Sequence, residues 1–114
     1  MITTTNNPIA QYLRIYHTGV RSVISSRELE AAFQIRGPDL RRLINSLRGE
    51  GIPICSSDSG YYYAETEEEL QGTIRQLRSR IKKIAHAERG LSKALEQFTD
   101  SGQISLPLDG GDAD

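Results

Sequence analysis

One cysteine, Cys55, stands in 114 residues, so no disulfide can close within the chain, and the sequence suits a reducing cytoplasm. No apolar run is long enough to span a bilayer and no basic-then-apolar leader is present, so neither membrane insertion nor secretion is expected. Also missing are a glycine-rich phosphate loop, a cluster of metal ligands and a nucleophile with a recognisable base and orienter. The chain is therefore read as non-enzymatic, with no cofactor and no metal. His17 and His86 lie far apart without companion ligands, and Cys55 reads as a buried strand residue. An apolar fraction of 37% supports only a modest core, enough for one small domain with an appendage. The formal net charge is only -1, but basic residues stop before Phe98 while four Asp follow it. Residues 1–64 carry seven Arg against five acids and residues 65–98 seven Lys or Arg against six, so an acidic end masks a more basic body.

What the chain does contain is organised around Ser25 to Gly51. Ser25 and Glu28 have capping-box spacing, and Leu29, Ala32 and Phe33 fall on one face of a first helix. Gly37-Pro38 restarts the chain, with proline suited to a first helical turn. Leu40, Leu43, Ile44 and Leu47 then make one stripe of a second helix, leaving Asp39, Arg41, Arg42, Asn45, Ser46 and Arg48 outside. That outer face is mostly basic and suited to phosphates and base edges. The pair reads as a helix-turn-helix.

Around it, Asn7-Pro8 predicts a capped helix with Ile9, Tyr12, Leu13 and Tyr16 on its apolar face, ending near Thr18-Gly19. Arg21 to Ile24 suits a small strand able to pair at a hairpin edge. Ile52–Cys55 and Tyr61–Ala64 are β-prone runs joined by a polar linker over Ser56 to Gly60, which predicts a hairpin. Three helices and a terminal hairpin make a winged helix over residues 1–65. The expected fold is thus mainly α with a small β-hairpin wing, followed by a long carboxy-terminal helix over 66–98 and a disordered acidic tail over 99–114.

The long helix opens with a second capping box, Thr66 to Glu69. Leu70, Ile74, Leu77, Ile81, Ile84, Leu91, Leu95 and Phe98 continue at alternating four and three, with Glu88 the one polar member of the seam. A seam of that kind calls for self-association, as a homodimer, or for another helical partner. The flanking positions offer no matched acids for a simple parallel dimer, so an antiparallel or heterotypic pairing is easier. Gly90 is the point where the helix could instead fold back, with the unbroken helix preferred.

The element order, with ISSRELEAAF, LRRLINSLRGEGIPI and SGYYY, resembles the amino-terminal winged-helix domain of the biotin-ligase repressors and related small bacterial regulators, over residues 8–64. The resemblance implies double-stranded DNA as a partner. By position it gives Arg41, Arg42, Asn45 and Arg48 as groove-facing residues, with Ser26, Arg27 and Arg36 near phosphates. The wing tip departs from that pattern, with Asp58 and no Lys or Arg. In the tail, Gln103-Ile104-Ser105-Leu106-Pro107-Leu108 is similar to the peptide by which bacterial replication and repair proteins dock on the DNA polymerase sliding clamp. That resemblance implies Gln103 in a polar pocket and Leu106 and Leu108 in an apolar cleft.

Together these readings point to a cytoplasmic DNA-binding adaptor that docks on the bacterial sliding clamp and modulates replication, in the manner of a phage or mobile-element factor. Two other functions fit the same sequence: a dimeric winged-helix transcriptional regulator, and a protein-interaction winged helix that does not bind DNA.

Overall fold

The computed structural model describes residues 6–101, with side chains up to Phe98. The order is α1 (Pro8–Tyr16), a 3-10 turn (Val20–Ser22), α2 (Ser26–Phe33), α3 (Gly37–Gly49), β1 (Ile54–Ser57), β2 (Gly60–Tyr63) and α4 (Glu67–Ser101). Helices, an antiparallel hairpin and a long final helix form a winged-helix-like, mainly α arrangement. The chain divides into two units, Met1–Arg75 and Gln76–Asp114.

In the first unit the helix starts follow their caps. Asn7 Oδ1 accepts the amides of Ile9 and Ala10 at 2.9 and 3.1 Å, with Pro8 in the first turn. The Ser25 hydroxyl accepts the Glu28 amide at 3.0 Å, and the Glu28 carboxylate accepts the Ser25 amide at 3.3 Å. Helix α2 stops at Gln34, a non-glycine residue in the left-handed region at φ 52°, which turns the chain toward α3. Helices α1, α2 and α3 pool Leu13, Leu29, Leu40, Ile44 and Leu47 with Ile24, Ile52 and Ile54 in one core. Tyr16 departs from the expected apolar face and is exposed, because α1 ends there; its ring packs on Tyr12 at 5.2 Å. Ala32 is likewise exposed.

The hairpin pairs Ile54 with Tyr63 and Ser57 with Gly60, so the polar linker expected over Ser56 to Gly60 shortens to Asp58-Ser59. The free edge of β2 is bonded as well. Ile24 and Tyr61 exchange amide-carbonyl bonds at 2.9 Å in both directions, Gly19 donates to the Tyr63 carbonyl at 2.8 Å, and Tyr63 donates to the His17 carbonyl at 2.8 Å. The strand expected over Arg21 to Ile24 is therefore only one bridging residue, Ile24, preceded by the 3-10 turn. Ser22 bends back so that its carbonyl accepts His17 Nδ1–H at 2.7 Å, which fixes that tautomer because a carbonyl cannot donate.

The first two turns of α4 lie on the wing. Thr73, buried, accepts the Ser56 amide at 3.2 Å, and the buried Cys55 thiol donates to the Glu69 carbonyl at 3.6 Å. Burial pushes the Cys55 thiol above its ordinary pKa. The second capping box reaches beyond its own turn. Thr66 accepts the Glu69 amide at 3.1 Å, and the Glu69 carboxylate also accepts the amides of Glu65 at 2.8 Å and Val20 at 3.0 Å. It clips the start of α4 to the 3-10 turn. Beyond Arg75, α4 continues without a break through Gly90 to Ser101, so the fold-back at Gly90 does not occur. Among the described residues no helix is long and apolar enough to cross a membrane.

Two glycines give opposite expectations. Gly60 has φ +142° and a Cβ there would sit 2.0 Å from the Ile24 carbonyl oxygen, so Gly60→Ala should cost at least about 2 kcal/mol in urea unfolding. Gly90 is helical with open space around it, so Gly90→Ala should strengthen α4 by about 1 kcal/mol, seen as later melting of far-UV ellipticity. The Glu69 clip adds a pH signature. Its carboxyl pKa is held below the ordinary value, first by the Glu65 amide and then by that of Val20. A lowered folded-state pKa means stability present above the ordinary carboxylate value and lost as pH falls through the lowered one. Unfolding midpoints of the wild type and Glu69→Gln should differ most at neutral pH and converge in acid.

Candidate nucleic-acid interface

Helix α3 buries Leu40, Ile44 and Leu47, and this requires the residues between them to face outward. Arg41, Arg42 and Asn45 lie there, all exposed. Their chemistry matches what reads a major groove, with guanidinium groups able to fork onto guanine and a carboxamide able to fork onto adenine. Arg36 stands at the N-cap of the same helix and Arg27 on the first turn of α2, both exposed.

The basic face is interleaved with acids. Asp39 pairs with Arg42 one turn on, and with Arg36 Nε at 3.9 Å. Ser26 donates its hydroxyl to the Glu30 carboxylate at 2.9 Å, so it is already bonded within α2. Gly37 sits under that same carboxylate and the Arg41 guanidinium; a Cβ at Gly37 would lie 3.2 Å from Glu30 Oε2 and 3.6 Å from Arg41 Nη1. Among the described residues, Arg27 and Arg41 form no salt bridge. The exposed ion pairs around Asp39 add little stability, but they preset where Arg36 and Arg42 lie.

Arg48 differs from its neighbours. It is half-buried, its Nε donates to the Ile54 carbonyl at 2.8 Å, and an Nη donates to the Ser56 hydroxyl at 3.2 Å. It ties the end of α3 to the first strand of the wing. Helical spacing puts Arg48 on one face with Arg41 and Asn45, and the sequence carries no signal of the strand that passes beside it. The wing tip presents exposed Asp58 and Ser59. The sequence reading gives Glu69 only as part of a capping box and does not single out Thr73; their further partners, Val20 and Ser56, are remote in the chain.

The clamp-like peptide Gln103, Ile104, Ser105, Leu106, Pro107, Leu108 lies outside the described residues. Among the described residues, no three His, Cys, Asp or Glu side chains come together as metal ligands. The apolar seam of α4 spans Leu70 and Ile74 in the first unit and Leu77, Ile81, Ile84, Leu91, Leu95 and Phe98 in the second, on one continuous helix.

No family model matches the chain, and neither the curated proteins nor the solved structures yield a match.

The two kinds of arginine on α3 separate by stability. Arg48→Ala should cost roughly 1–3 kcal/mol by leaving the Ile54 carbonyl and Ser56 hydroxyl without their charged donor, whereas Arg41→Ala should stay within about 0.5 kcal/mol of wild type. Urea unfolding of the two variants checks this.

Proposed function

We propose that the chain is a non-enzymatic DNA-binding adaptor that docks on the bacterial sliding clamp through its tail and modulates replication, in the manner of a phage-derived factor. The observation that carries the DNA part is the outward face of α3, where Arg41, Arg42 and Asn45 are exposed on a helix fixed to a wing. Arg27 and Arg36 flank that face and would meet backbone phosphates, which position a protein without reading sequence. Arg48 supports the reader helix from behind through β1, and the acidic wing tip keeps that loop off the phosphates. The clamp part rests on the residues of Gln103–Leu108 alone. A weak tail peptide becomes effective once the body is held on the same DNA, since linkage raises the local concentration.

A dimeric winged-helix regulator is the second reading, favoured by the exposed apolar stripe of α4. It differs by requiring a palindromic site with two half-sites.

Arg41→Ala with Arg42→Ala should weaken duplex binding by roughly 1–3 kcal/mol per side chain and flatten its salt dependence, leaving clamp binding unchanged. Gln103→Ala with Leu106→Ala should do the reverse. Fluorescence anisotropy on duplex DNA and calorimetry on a bacterial sliding clamp, each with the full chain, give the two readouts. Loss of both activities in both variants would contradict the division of labour, and wild-type binding to neither would remove the proposal.

A further inference from the structure

Residues 76–98 of α4 carry six Lys or Arg against two Glu, Glu88 and Glu96. Through them runs an apolar stripe on which Ile81, Ile84 and Leu91 are 64%, 63% and 73% exposed. Large aliphatic side chains held in water at heptad spacing call for a second helix. We infer that this helix is a second copy of the chain, lying antiparallel, with Ile81 of each copy packed against Ile84 of the other.

The single acid of the stripe selects the orientation. Glu88 occupies a seam position, so two parallel copies would bring their Glu88 carboxylates face to face in an apolar layer, a like-charge pair with no counterion. Antiparallel copies related by an axis midway between Ile81 and Ile84 avoid this. Each Glu88 then comes opposite Leu77 of the second copy, beside Arg78 of that copy, while the two Glu88 residues stand about 16 Å apart along the axis. Glu88 also accepts the Ser92 hydroxyl of its own helix at 3.2 Å, which leaves the other carboxylate oxygen for the arginine.

The flanks select the register. In this pairing Arg78 meets Ala85 of the second copy and Arg80 meets Ala87, so the bulky cations lie over small neutral residues. Sliding one copy until Ile84 faces Glu88 would bring the two carboxylates within about one helical turn of each other. An unrelated helix of acidic character would suit the basic flanks, but its own acids would then sit near Glu88. The pairing is independent of whether α3 reads DNA, so either conclusion can fail without the other.

Sedimentation equilibrium on the full chain should give twice the monomer mass. Ile81→Asp with Ile84→Asp should return the monomer mass while leaving unfolding of the winged helix unchanged, since both side chains are exposed in the single chain. Orientation is read by oxidation, with the buried Cys55 out of reach. A mixture of Arg78→Cys and Ala85→Cys chains should form the mixed disulfide, whereas Glu88→Cys alone should not cross-link. A monomer at every concentration overturns the inference, as does a dimer that survives the double substitution. Ready cross-linking of Glu88→Cys with itself overturns the orientation and register together.

Discussion

Strand β2 is bonded along both edges, and the first unit hangs on that constraint. On one side it has β1; on the other it has Ile24, Gly19 and His17, three residues of the segment joining α1 to α2. The backbone of Gly60 approaches Ile24 so closely that any side chain there would collide with the Ile24 carbonyl. Because Ile24 directly precedes the cap of α2, the hairpin sets where the helix pair begins. Arg48 closes the circuit from the far end of α3 to β1. The α2–α3 pair is thereby held at its beginning and its end by a hairpin of only eight strand residues.

The parts of this fold legible in the sequence were those whose causes are local. Both Asn7-Pro8 and the Ser25/Glu28 box mark helix starts because their bonds span two or three residues. The stripe from Leu40 to Leu47 is a period, and periods survive without knowledge of what they pack against. The misreadings came where a distant segment decides the outcome. Arg21 to Ile24 has β-prone composition, yet β2 offers a matching pair of bonds only to Ile24, and the 3-10 turn is drawn in by Glu69, nearly fifty residues on. In the same way Arg48 follows the helical spacing of a groove reader but lies beside a strand that spacing cannot reveal.

The candidate DNA face shows the same division at the level of charge. Counting arginines on α3 gives a basic surface, but Asp39 pairs with Arg36 and Arg42 and holds part of that charge in place. A face with internal counterions presents less net field and more fixed geometry. Arg41 and Asn45 stand outside these pairs, so their side chains are less constrained than those of Arg36 and Arg42.

Cys55 lends the molecule an internal clock. Its thiol is sealed between β1 and the opening turns of α4, with Thr73 and the Glu69 carbonyl above it. A reagent can reach it only while those turns are lifted, so the rate at which the thiol is consumed counts how often the wing and helix part. The unfolding of the rest of the chain would leave that rate untouched if the seal opens on its own, and would govern it if the two open together.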